Sequence, residues 1–126
     1  MSTSILINGG AGRMGLRILS LLLEDPDLRL TGVREAPEHA AQGKDAGILL
    51  GGRELGAPVV DRMDRLPNRP DVIVDFTAPS AIPALIEDMG ENKVPLVSGT
   101  TGLTPAQRER IAELLASVPC VLAPNM

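Results

Sequence analysis

The segment Ser4-Ile-Leu-Ile-Asn8 runs straight into Gly9, Gly10, Gly12 and Gly15, and this junction constrains the fold more than any other stretch of the chain. A short apolar run reads as a buried strand, and glycines at its end permit a turn too tight for side chains. Beyond the turn, Met14, Leu16, Ile18, Leu19, Leu21, Leu22 and Leu23 predict a helix over Arg13–Glu24 packed on a sheet. Asp25-Pro26-Asp27 stops it, because proline cannot continue the helical hydrogen-bond ladder. Gly10, Gly12 and Gly15 satisfy GxGxxG, and Gly9, Gly12 and Gly15 satisfy GxxGxxG. Placed between a strand and a helix, such glycines allow the tight turn, let a pyrophosphate approach the backbone, and let the helix pack close to the strand. The free N–H groups of the helix start supply partial positive charge for the phosphates. The alternative is a glycine turn with no ligand.

The rest of the chain repeats the alternation. Leu28–Val33 reads as a second strand. From Arg34 to Pro58 the chain is rich in glycine, alanine and charge, and predicts a long excursion with at most one helical turn before a short strand near Ala57–Val60. Asp71–Asp75 is a strand, Ser80 is expected to cap a helix over Ala81–Gly90 with Pro83 in its first turn, and Val94–Ser98 is the next strand. Thr104-Pro-Ala-Gln107 is a capping-box start for a helix to about Ser117, and Cys120–Ala123 is a final strand. Strands separated by helices at this spacing require crossover connections, hence an α/β, doubly wound parallel sheet of Rossmann-like type with helices on both faces. The 126 residues fit one domain, read as a dinucleotide-binding domain over 1–126.

Two further features extend the ligand reading. Glu35 lies twenty residues after Gly15, just past the second strand, where dinucleotide folds place an acid on the adenosine ribose. A carboxylate there repels a 2′-phosphate and favours NADH, while the neighbouring Arg34 is able to offset that repulsion in part. Small polar residues also follow the later strands: Phe76-Thr77, Gly99-Thr100-Thr101-Gly102 and Pro124-Asn125. Ligands of open α/β sheets bind outside such strand ends, although loop capping uses the same residue types.

Composition removes other classes. One Phe and no Tyr or Trp leave no stacking platform for single-stranded nucleic acid, and twelve basic against sixteen acidic residues give −4, the wrong sign for a phosphate-backbone binder. One cysteine excludes an internal disulfide and fits a reducing cytoplasm. No stretch approaches the ~20 apolar residues that span a bilayer, so no membrane partner is expected. His39, the one histidine, reads as a solvated loop residue, Cys120 as a buried strand thiol, and Met14 as packing beneath the glycine turn; no metal site is expected. Glu87 and Asp88, adjacent on a helix, are expected to point apart.

Gly12-Arg-Met-Gly15, Gly43-Lys-Asp-Ala-Gly47, Val74-Asp-Phe-Thr77, Gly99-Thr-Thr-Gly102 and Ala123-Pro-Asn-Met126, in this order, resemble the 4-hydroxy-tetrahydrodipicolinate reductase family across the whole chain. The resemblance implies hydride transfer from NADH or NADPH to a cyclic dicarboxylate in lysine and diaminopimelate synthesis. It implies that Gly9, Gly10, Ala11, Gly12, Arg13 and Met14 cradle the pyrophosphate and that Glu35 takes the ribose. Phe76, Thr77, Gly99, Thr100, Thr101, Ala123, Pro124, Asn125 and Met126 would line the nicotinamide end, with Thr101 also reaching substrate. Family members that use NADPH well often carry Arg directly after the ribose acid; here that position is Ala36, which leans toward NADH. The family's substrate and tetramerisation domain is not in these residues, so no catalytic proton donor is expected in this chain, and a homotetramer is expected only of the full-length protein. Two other readings remain: a non-catalytic NAD(H)-binding sensor, and a related aspartate or homoserine dehydrogenase, against which the Gly-Arg-Met-Gly and Gly-Thr-Thr-Gly pairing argues.

Overall fold

Strand β1 (Thr3–Asn8) is buried from Ser4 onward, as its apolar run requires, and sits in the middle of the sheet. The computed structural model describes residues 2–9 and 11–123. Within them follow α1 (Arg13–Leu22), β2 (Leu28–Arg34), α2 (Ala46–Leu49), β3 (Val59–Val60), β4 (Val72–Asp75), α3 (Ile82–Asp88), β5 (Leu96–Ser98), α4 (Pro105–Leu114) and β6 (Cys120–Leu122). The six strands are parallel in the order β3-β2-β1-β4-β5-β6. The chain winds outward from β1 through β2 to β3, then returns to the other side of β1 as β4. The switch point, where strand order reverses and a crevice opens at the carboxyl ends, therefore lies between β1 and β4.

Side-chain alternation splits the core in two. Leu6, Ile73 and Leu96 face α3 and α4, packing with Ile82, Leu85, Ile86 and Ile111. Ile5 and Ile7 face the other way, onto Leu19 and Leu22 of α1 and onto Val33, Ala46 and Val59. This is the doubly wound arrangement the spacing predicts.

Differences from the sequence reading are local. Ser80 does not cap α3: Pro79–Ala81 form a 3₁₀ turn that runs into the helix, whose N-cap is Ala81 without a side-chain bond. Proline at the start of that turn fixes the backbone without need of a hydroxyl. A further 3₁₀ turn, Met63–Arg65, is a short element that the pattern did not announce. The start of α4 follows expectation, with Thr104 Oγ1 accepting from the Gln107 N–H at 3.1 Å and Gln107 Oε1 accepting from the Thr104 N–H at 2.8 Å.

The long excursion is organised by Asp45. Its carboxylate accepts N–H bonds from Gly47 at 2.8 Å, Leu55 at 2.7 Å and Ala57 at 2.8 Å, closing residues 45–57 around one side chain. Partial burial raises the Asp45 carboxyl, but the backbone bonds from Leu55, Gly47, Ala57 and Gly56 outweigh it and hold the group below the usual carboxylate value. Gly47 is needed for packing, since a Cβ there would stand 2.0 Å from the Arg53 carbonyl oxygen.

Candidate functional site

The turn after β1 is shaped by what it touches. Gly9 has φ +79°, and a Cβ on it would meet Thr77 Cγ2 at 2.6 Å, so the glycine lets β1 turn directly against the end of β4. Gly12 is the N-cap of α1, with no side-chain cap bond and no acidic residue in the first turn. The N–H groups of that turn are thus left to solvent or to an anion. Glu35 reaches across from the end of β2, and its Oε2 accepts the Ala11 N–H at 2.8 Å. Arg13 is exposed beside them. Met14 is 53% exposed, which corrects the expectation that it packs beneath the turn; Gly15, one position on, is buried.

Asn8, Gly9, Arg34, Glu35, Asp61 and Thr77 line a groove of about 400 Å³ at the switch point. A smaller cleft of about 280 Å³ between α3 and α4 is walled mainly by Pro79, Pro83, Ile86, Ile111 and Leu114 and lacks this concentration of polar groups. Arg34 does not stand free in the groove. Its Nε donates to Asp88 Oδ2 at 2.8 Å and its Nη1 to Asn8 Oδ1 at 3.2 Å, and both side chains of the Arg34–Asp88 pair are 15% exposed. Asp88 also accepts the Met63 N–H, while Glu87 is exposed, so the two adjacent carboxylates do point apart.

Beneath the groove lies a group that pattern reading missed. Asp75, at the end of β4, is 0% exposed, and four partners surround its carboxylate. Oδ1 accepts from Asn8 Nδ2 at 2.8 Å and Thr77 Oγ1 at 2.7 Å; Oδ2 accepts from Ser98 Oγ and Thr100 Oγ1, each at 2.8 Å. Burying a carboxylate is costly unless its lone pairs are matched by donors, and here both oxygens have two. Asp75 terminates an apolar strand and so read as a boundary residue. The signal was the cross-strand register, which sets Asn8, Asp75 and Ser98 side by side at three strand ends.

The expected nicotinamide-end residues gather here. Thr77 lines the groove, and its N–H donates to Thr100 Oγ1 at 3.1 Å. Thr100 is buried with its hydroxyl turned to Asp75, whereas Thr101 is exposed. A Cβ on Gly99 would lie 2.3 Å from Phe76 Cε1, so this glycine gives the ring its seat. Ala123 is tied to the sheet through its N–H on the Ser98 carbonyl at 2.8 Å. Gly10, Pro124, Asn125 and Met126 lie outside the described residues.

Outside the groove, the exposed His39 uses Nδ1 to accept the Ala41 N–H at 3.0 Å, and burial raises the pKa of the half-buried Cys120 thiol. Among the described residues no three or more His, Cys, Asp or Glu are grouped to hold a metal ion, and no helix is long and apolar enough to cross a membrane.

Known proteins resemble this chain in sequence and in fold. The 4-hydroxy-tetrahydrodipicolinate reductase of Syntrophus aciditrophicus is 42% identical over 121 residues, covering 96% of this chain and 45% of that protein. The enzyme of the same name from Anaeromyxobacter dehalogenans is 40% identical over 124 residues, covering 98% and 46%. The chain therefore spans less than half the length of these curated relatives. Among solved structures, a dipicolinate-bound dihydrodipicolinate reductase from Paenisporosarcina sp. TG-14 superposes with a TM-score of 0.70 at 22% identity, over 99% of this chain and 48% of the other. An aspartate semialdehyde dehydrogenase with NADP from Candida albicans gives 0.67 at 12% identity, over 97% and 42%; both likenesses establish the fold. The family model described as dihydrodipicolinate reductase, N-terminus, matches residues 3–126, nearly the whole sequence, and the chain belongs to that family.

Proposed function

We propose that this chain is the dinucleotide-binding domain of a 4-hydroxy-tetrahydrodipicolinate reductase and that its switch-point groove holds NADH. The observation that carries the reading is the joining of Glu35 to the Ala11 N–H across the glycine turn, which puts a ribose-binding acid beside an uncapped helix start. The bound dinucleotide would supply the hydride for reduction of a cyclic dicarboxylate. The residues of this chain supply position: Gly9, Gly10, Ala11, Gly12, Arg13 and Met14 hold the pyrophosphate, drawn by the uncapped N–H groups at the start of α1. Phe76, Thr77, Gly99 and Thr100, with Ala123 to Met126, frame the nicotinamide, and the exposed Thr101 reaches substrate. Protonation of the substrate nitrogen is assigned to residues outside this chain, since His39 is exposed and its Nδ1 is engaged with the Ala41 N–H. The dicarboxylate substrate and homotetrameric assembly of the complete enzyme rest on family membership.

Preference for NADH over NADPH is supported by charge. Two carboxylates, Glu35 and Asp61, line the groove, and its arginine is held by Asp88 and Asn8 rather than free for a 2′-phosphate. The test is a titration of NADH followed by its own fluorescence, against a chain that has no Trp or Tyr. NADH is expected to bind more tightly than NADPH, and Glu35→Ala to weaken NADH by about tenfold through loss of the charge-assisted ribose bonds. No fluorescence response up to millimolar NADH rejects the assignment.

A further inference from the structure

The bonds around Asp75 have a direction that the donor and acceptor chemistry fixes. A guanidinium only donates, so the Asn8 atom facing Arg34 Nη1 at 3.2 Å is the amide oxygen. The Asn8 atom facing Asp75 Oδ1 is then the NH₂, which only donates. Position Oδ1 of residue 75 must therefore be an acceptor, and it is the atom 2.7 Å from Thr77 Oγ1. The single hydroxyl proton of Thr77 is consequently spent inward. Its alternative acceptor, the Ala78 carbonyl oxygen, is at 3.4 Å and competes poorly. The Thr77 methyl packs against Gly9, which holds the rotamer. The Thr77 hydroxyl, at the β4 end where the Thr77 N–H meets Thr100 Oγ1, is thus left with lone pairs alone for a ligand.

We propose that Asp75, oriented through Asn8 and Arg34, is a positioning residue that locks the Thr77 hydroxyl as a hydrogen-bond acceptor, and that Thr77 thereby selects the NH₂ of a carboxamide over a carboxylate at the nicotinamide end. The inference rests on the groove taking a nicotinamide dinucleotide. A carboxylate in place of the carboxamide brings an acceptor to an acceptor and a negative charge toward Asp75. A site with such a matched group rejects the mismatched analogue strongly, since buried polar atoms are left unpaired.

The experiment measures, by calorimetry on the folded chain, the affinities for NAD⁺, for its acid analogue nicotinic acid adenine dinucleotide, and for ADP-ribose, which lacks the discriminating group. The wild-type chain is expected to bind NAD⁺ at least about tenfold more tightly than the acid analogue. The paired exchange Asn8→Asp with Asp75→Asn keeps size and total charge. The new carboxylate accepts from Arg34 and from the new amide, whose NH₂ then faces Thr77 and whose oxygen still accepts from Ser98 and Thr100. The Thr77 proton is released toward the groove, and the preference is expected to invert toward the acid. A role of Asp75 in holding the fold alone would alter all three affinities together and leave the ratio unchanged. Should the exchanged chain fail to fold by circular dichroism, Thr77→Val decides: it is expected to bring the amide-to-acid ratio near one, and any general loss of binding, read with ADP-ribose, cancels from that ratio. An unchanged ratio in the folded exchange or in Thr77→Val, or a wild-type ratio near one, overturns the inference while ADP-ribose binding leaves the dinucleotide reading standing. Loss of ADP-ribose binding in the wild-type chain overturns both.

Discussion

The two faces of the sheet differ in how completely they are covered. On the side of α3 and α4, Leu6, Ile73 and Leu96 are at most 1% exposed, and the inward residues Ile82, Leu85, Ile86 and Ile111 close over them. On the other side α1 and the short α2 cover the strands from β3 to β1, and beyond them Val74, Val97 and Val121 stand in register across β4, β5 and β6. Val121 is 52% exposed, and the other large exposed apolar side chains, from Met14 and Leu21 to Leu55, lie in or just after α1 and α2 or in the loop from α2 to β3. Parallel strands ordinarily require burial on both faces. Among the described residues only one face meets that requirement, so the two faces should respond unequally to mutation.

The largest effect is expected on the closed face. Leu85→Ala removes a fully buried side chain and should cost about 2–5 kcal/mol, read from urea unfolding. A smaller loss is expected from Gly47→Ala on the α2 side, about 1–3 kcal/mol by thermal melting, because the added methyl must push the Arg53 carbonyl aside. A loss near zero would show that this segment shifts freely and would widen the contrast. Asp45 in the same loop gives a pH signature. Its carboxyl is held below the unfolded value of about 3.9, so its contribution is complete above that pH and disappears as pH falls through the lowered folded value. Melting temperature should therefore drop less steeply below about pH 4 in Asp45→Asn than in the parent chain; parallel curves would refute the role. The smallest effect is expected at Val121→Thr on the open face, within about 0.5 kcal/mol. A cost approaching that of Leu85→Ala would abolish the distinction between the faces.

Local chemistry explains what could be read from the residues in advance. The strand, glycine turn and helix at Ile5–Leu22 are specified within one stretch, and Thr104 to Gln107 carry both halves of a capping box, so these elements were legible. The start of α3 was not, because Ser80 has the right chemistry for a cap while proline at position 79 already sets a 3₁₀ turn. Met14 was misplaced because its apolar character ignores position: at the second residue of a helix that begins past the carboxyl end of β1, the side chain is left exposed. Asp75 was illegible for a different reason, since its partners Asn8 and Thr100 are 67 and 25 residues away and only the register brings them together. Arg34 likewise read as a cation available to a phosphate until its partner Asp88, 54 residues on, was in view.

The seat that Gly99 makes for Phe76 has a spectroscopic consequence. Phe76 is the sole phenylalanine of the chain. Uniform incorporation of a fluorinated phenylalanine would therefore label one place in the protein, the ring lying on the β5 strand end beside the groove. A single fluorine resonance, free of assignment, would report there on occupancy and exchange.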